Sequence, residues 1–412
     1  MRKNPRMSTP NERLFLRPAT VDRPDATAPP RFALFALGFR PFYLLAALLA
    51  ALSVPVWVAQ YVGLLPSRGP IAGLAWHMHE MVFGFAVAVV TGFLFTAGRN
   101  WTNQPTPTGA TLAGLAALWL AARVLAITGP SSVAAWVDFA FLPLVAWFLW
   151  RALKAANNKR NYFFVALLGA LAVFNMAFWF AAFGIAPVSP LVPIKAALYL
   201  IVTIVAIMGG RVIPMFTQNA IPTARVRRSV SLDRWAIGLL AAALAFDVLA
   251  APAWLLAPVA LAAAVLHATR LALWDPIATR GKPIVWILHA SYAWIPVGLA
   301  LLAIASLTPK VHEVYAVHAF AIGAVGGMII GMITRTALGH TGRVLAAGLA
   351  ETFAYGLVQA AAFTRVAVGL AIPAAYGQTL ALSALFWSAG FALYAIAYFP
   401  ILTRARADGR PG

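Results

Sequence analysis

Apolar residues run along this chain in long blocks, and turn residues and charges interrupt them at short intervals. A helix crosses the hydrocarbon of a bilayer with roughly 20 apolar residues. Twelve blocks reach about that length: 35–62, 76–97, 109–127, 131–150, 161–186, 191–214, 235–251, 253–273, 283–306, 312–336, 346–370 and 377–402. Between them fall Pro66, Pro105 and Pro107, Gly129-Pro130, Pro187 and Pro190, Pro222, Pro276, Pro309 and Gly342, which are turn formers. The pattern predicts an all-α polytopic membrane bundle of about 12 transmembrane helices in one domain, residues 33–404. The block at 235–251 is the weakest, because Asp247 interrupts it. Residues 1–32, polar, basic and Pro-rich, are expected to form a flexible tail, and 405–412 a short C-terminal one. No N-terminal signal peptide is evident, since the first apolar block is too long for one.

Composition agrees with that pattern. Of the 412 residues 62% are hydrophobic and 10% charged, and the mean hydropathy is +0.83, well beyond a soluble domain. The chain has no cysteine, which excludes disulfides, thiolate-bound iron–sulfur clusters and thiolate copper. Any metal must use His, Met, Tyr or carboxylates. The net charge of +20 comes from 31 Lys and Arg. Most lie on the N-terminal arm, the C-terminal tail and alternate loops, around Arg99, Arg151–Arg160, Arg225–Arg234, Arg270–Lys282 and Arg335–Arg343. The opposite loops hold little beyond Arg68 and Lys310. The positive-inside rule then makes both termini cytoplasmic. The charge is thus a sign of topology and of contact with membrane lipids, and a nucleic-acid partner is excluded because it is spread over short loops.

Against this apolar background the run Trp76-His77-Met78-His79-Glu80-Met81 stands out. Burying imidazoles and a carboxylate is costly unless they are paired or metal-bound, so inside a membrane they suggest function. On the expected topology His77, His79 and His318 lie toward the outer side, and His289 and His340 toward the cytoplasm. His318 and His340 are on the order of 33 Å apart along one helix, too far to share a metal. At about 100° per residue, His77, Met81, Gly84 and Ala88 form one stripe, and His79 points nearly opposite. A His followed by Met and then Gly offers a flat macrocycle a ligand, a soft neighbour and a hole for its face. Glu80 could fix a tautomer. Paired with His318, a helix-2 imidazole would give bis-His ligation of a b-type haem; without a second ligand the same site would bind a diatomic gas. The competing readings are that each His caps a helix or bridges helices. The stripe Gly323, Gly327, Gly331, nearly opposite His318, reads as close helix packing.

At the inner end Arg40, Arg211, Arg335, His289 and His340, with Tyr292, could hold haem propionates, a quinol headgroup or a metal. Alternatively the arginines reach to lipid phosphates. Asp138, Lys195 and Arg365 form a weaker outer set, suggestive of ion pairs. Met208, Met215, Met328 and Met332 could ligate Cu(I), although core filling explains each of them.

Several motifs together resemble the NnrS family of bacterial membrane proteins: Gly38-Phe39-Arg40-Pro41-Phe42, Trp76-His77-x-His79-Glu80-Met81-x-Phe83-Gly84-Phe85, Asn100-Trp101-Thr102, Gly209-Gly210-Arg211-Val212-Ile213-Pro214, His289-x-x-Tyr292-x-Trp294-x-Pro296, and the run from His318 to Thr334-Arg335-x-Ala337-Leu338-Gly339-His340-Thr341-Gly342. They span residues 38–342. Gly98-Arg99 departs from the pattern, in a loop that touches none of the histidines. The resemblance implies a multi-pass protein of the bacterial inner membrane that contains haem and copper. It also implies a link to denitrification and to defence against nitric oxide. The expected function is therefore a haem protein, with copper less secure, that binds or turns over nitric oxide and takes electrons from quinol. Whether that makes it an enzyme or a binder stays open. A cofactor-free twelve-helix transporter and a scaffold held together by its polar residues are the alternatives.

Overall fold

The computed structural model describes residues 32–410, so nearly all of the expected N-terminal tail lies outside the described residues. Among these residues every regular element is helical. Twelve helices follow one another: α1 (Phe39–Tyr61), α2 (Gly73–Thr102), α3 (Gly109–Thr128), α4 (Ser131–Ala155), α5 (Tyr162–Ala182), α6 (Leu191–Ala220), α7 (Val230–Val248), α8 (Ala253–Leu273), α9 (Pro283–Leu307), α10 (Val314–His340), α11 (Leu349–Ala371) and α12 (Tyr376–Thr403). Each matches one predicted block. Eleven are long and apolar enough to cross a bilayer, and α7 is the exception. It carries Asp233, Arg234 and Asp247. Asp247 is tolerated because Lys195 lies 2.9 Å from its Oδ2 and the Tyr199 hydroxyl donates to the same atom at 2.8 Å.

The two most buried spans are α2 and α10, with 78% and 72% of their apolar windows inside the protein. Helix α2 packs on α1, α4 and α6; α10 packs on α9, α11 and α6. They are the helices that carry His77, His79 and His318. The glycine stripe of α10 allows its close approach to α9, as expected from the sequence. A Cβ on Gly323 would lie 2.2 Å from Trp294, one on Gly327 2.3 Å from Ser291, and one on Gly331 2.9 Å from Ile287. Backbone meets side chain there with no room for a methyl group.

Three spans are not α-helical throughout. Residues Glu80–Ala86 of α2, Ala319–Gly326 of α10 and Thr364–Val368 of α11 form π turns, in which i→i+5 bonds accommodate an extra residue. All three adjoin or contain a polar residue: His79 and Glu80, His318, and Arg365. The end of the bundle where the two ends of the described chain meet is tied by Arg40. Its Nη1 donates to Leu402 O at 3.0 Å and Arg404 O at 2.7 Å, so it caps the last carbonyls of α12. Beyond α12, Arg406 pairs with Asp408 at 2.6 Å and holds its carboxyl well below the usual carboxylate range.

Candidate cofactor site

The structure separates the two histidines of the Trp76–Met81 run. His79 is fully buried and enclosed by side chains of three other helices. Its Nδ1 lies 3.2 Å from Glu80 Oε1, and its Nε2 lies 3.1 Å from both Asp138 Oδ2 and Asn175 Oδ1. Arg123 of α3 donates to Glu80 at 2.8 Å and to Asp138 Oδ1. Asn175 and Trp179 of α5 donate to Asp138 Oδ2 at 2.8 and 2.9 Å. Both ring nitrogens of His79 thus face acceptors, and neither presents a lone pair to a metal. Its neighbours form a closed ionic knot: two carboxylates answered by a guanidinium and an imidazole, which is how such charges persist in an apolar interior.

His77, on the other side of α2, lies in an aromatic setting. Its ring stacks on Trp57 of α1, centroids 4.1 Å apart and planes at 18°. Its Nδ1 is buried without a hydrogen-bond partner. His318 is held differently: its Nδ1 lies 2.7 Å from Val314 O. A carbonyl only accepts, so Nδ1 carries the proton and Nε2 is left with the lone pair, the tautomer that a metal-ligating histidine needs. The two imidazoles interact electrostatically, and Arg365 acts on both. Arg365 is 2% exposed. Its Nη2 donates to Tyr376 Oη at 2.8 Å, while Nε and Nη1 are buried without partners. A buried guanidinium with two unmet donors, beside two imidazoles, is a site suited to an anionic ligand.

The phase argument for Gly84 fails. Gly84, inside the π turn at 80–86, has Leu49, Glu80 and Arg123 against it, so side chains already fill the space where its Cβ would be. Its carbonyl accepts from Trp119 Nε1 at 3.2 Å. Nothing there is open to the face of a macrocycle.

The inner set is divided: Arg40 and His340 lie close enough to interact, and the others have separate surroundings. Arg40 caps α12, and Arg211 is exposed on α6. Arg335 lies 3.6 Å over the ring of Phe216, and His340 packs against Phe39 at 5.8 Å. His289 Nε2 is 2.8 Å from Thr217 Oγ1. Tyr292 joins Arg270 and His267, whose Nδ1 is 2.6 Å from the phenol oxygen. Lys195 pairs with Asp247 and Glu313, not with Asp138 or Arg365. Among the described residues no three His, Cys, Asp or Glu side chains form a group that could hold a metal ion.

The family comparison decides the relationship. A model described as NnrS protein matches residues 33–406. The chain belongs to the NnrS family. It is accordingly a multi-pass membrane protein associated with the nitric oxide response. No curated protein matches it. On this NnrS-family chain the match extends beyond the sequence motifs, which end at Gly342, and so includes Arg365 and Tyr376. Arg123, Asn175, Trp179, Trp57 and Tyr376 carry no motif signal that would have marked them as site residues. Asp138, Lys195 and Arg365 are marked in the sequence as charges inside apolar blocks; Arg123, inside the block 109–127, carries the same signal.

Proposed function

We propose that the chain is a haem b protein of the bacterial inner membrane that binds nitric oxide, with His318 and His77 as the iron ligands and Arg365 as the partner of a haem carboxylate. The observation that carries the reading is the Val314 carbonyl at 2.7 Å from His318 Nδ1, which fixes the tautomer with Nε2 available. The residues fit the group. Imidazoles of α2 and α10 feel the charge of a buried guanidinium with unmet donors, and haem brings two carboxylates. Haem iron, when bound, would supply a one-electron couple and, where the weaker His77 ligand gives way, a coordination position for a diatomic gas. The protein's part is to hold both rings and to keep Arg365 dry, so that its charge acts at full strength. His79, Glu80, Arg123 and Asp138 support α2 from behind and take no part in ligation. The copper that the family resemblance implies receives no residues in this reading.

Anaerobic optical spectra of the purified protein, with and without nitric oxide, test it. Wild type is expected to show a Soret band that shifts with nitric oxide. His318→Ala loses haem, His77→Ala keeps haem but changes its spin state, and His79→Gln keeps the wild-type spectrum. A haem-free wild type, or full haem content in His318→Ala, overturns the proposal.

A further inference from the structure

A groove of about 430 Å³ lies between α8 and α9, where the short helix Pro276–Thr279 joins them. Leu271, Ile277, Trp286, Ala290 and Ala293 give it an apolar lining, and His289 and Arg280 are its ionisable members. Trp286, His289, Ala290 and Ala293 follow the i, i+3, i+4, i+7 spacing of one helix face. This groove is separate from His77, His318 and Arg365, and nothing in the haem reading uses it.

The hydrogen bonding of His289 specifies what the groove accepts. Thr217 Oγ1 is 2.8 Å from Ile213 O and 2.8 Å from His289 Nε2. The hydroxyl has one proton, and the carbonyl can only accept it. His289 Nε2 must therefore be the donor to Thr217, which leaves the lone pair on Nδ1. That nitrogen is buried without a partner in a residue only 3% exposed. An orphaned buried acceptor costs free energy that a ligand O–H would recover. The ligand is thus a donor at one end and apolar and ring-shaped enough to lie along Trp286. At this volume it is of small-molecule size.

We propose that the groove binds a lipid-soluble hydroquinone, its phenolic hydroxyl donating to His289 Nδ1 and an oxygen accepting from Arg280. A quinone of the same tail has no O–H to offer, so the site favours the reduced form. The tautomer lock makes this preference a property of the protein, not of the tail.

The test is equilibrium binding of decylubiquinol and decylubiquinone, under anaerobic conditions, to the full chain in phosphatidylcholine nanodiscs. Quinol is expected to bind about tenfold or more tighter than quinone, the scale of one hydrogen bond to a buried acceptor. His289→Phe, which keeps a flat ring without the lone pair, should erase that difference. Ala293→Trp, which fills the groove without touching the hydrogen bonds, should weaken both ligands. Equal affinity for the two redox forms in wild type overturns the proposal, and so does unchanged binding in both variants. Nanodiscs of phosphatidylglycerol separate the other source of a hydroxyl donor. Loss of quinol binding there would show a lipid headgroup to be the true occupant.

Discussion

His77 and His79 are two residues apart and sit in different chemistry because α2 is buried on both sides. One ring meets Trp57 of α1, the other meets Asp138 and Asn175 of α4 and α5. The ionic knot around His79 is a structural commitment, since removing one partner of a buried pair leaves the other charged and unanswered. Asp138→Ala is expected to cost about 3–5 kcal/mol, a range measured for broken buried pairs. Arg123→Met, which strands two carboxylates, should cost as much. Reversible unfolding in mixed micelles would check both, and a loss under about 1 kcal/mol would mean that water already reaches the knot. The sequence marked His77, His79 and Glu80 as anomalous, because their cost in a membrane is a local property. It could not assign them partners. Arg123, Asp138 and Asn175 lie 43, 59 and 96 residues away from the acids and imidazole they meet, and nothing in their own surroundings names those targets.

At the scale of helices, the number and placement of spans were readable because a run of about 20 apolar residues is a strong signal that tertiary contacts rarely override. The π turns were not, because one extra residue changes no composition. A turn closed by i→i+5 bonds carries one more residue than an α turn, and so shifts the helical phase beyond it by about 100°. The α10 glycines nonetheless kept the role expected of them. Their packing can be tested against a glycine in open space. Gly323→Ala sets a Cβ 2.2 Å from Trp294, and should destabilise by about 1–3 kcal/mol through overpacking. Gly114, in α3, has nothing within 4 Å of such a Cβ. Gly114→Ala should be neutral or gain up to about 1 kcal/mol from helix propensity. Similar losses at both positions would show that the tight fit of α9 on α10 contributes nothing to stability.

The whole molecule adds orientation, which neither a residue nor a helix carries alone. Twelve helices bring the two ends of the described chain together, Ala33 N donating to Thr403 O at 2.7 Å, and loops rich in Lys and Arg lie at that same end of the bundle. The absence of cysteine from the chain makes the prediction directly measurable, since any introduced thiol is the only one. Thr223 lies in the exposed α6–α7 loop among Arg225, Arg227 and Arg228. Val188, 50% exposed, lies in the loop between α5 and α6 at the opposite end. The positive-inside rule predicts that a membrane-impermeant maleimide labels Val188→Cys in spheroplasts and reaches Thr223→Cys only after permeabilisation. That outcome would put His77, His318 and Arg365 in the outer half of the bilayer, on the side from which a gas or an extracytoplasmic electron carrier arrives. It would also put the His289 groove in the cytoplasmic half, where Arg280 and Lys282 can meet anionic headgroups. The reverse labelling pattern would exchange the two sites across the membrane. Then the loop charges, against the general rule, would not govern insertion, and the proposed haem site would open to the cytoplasm.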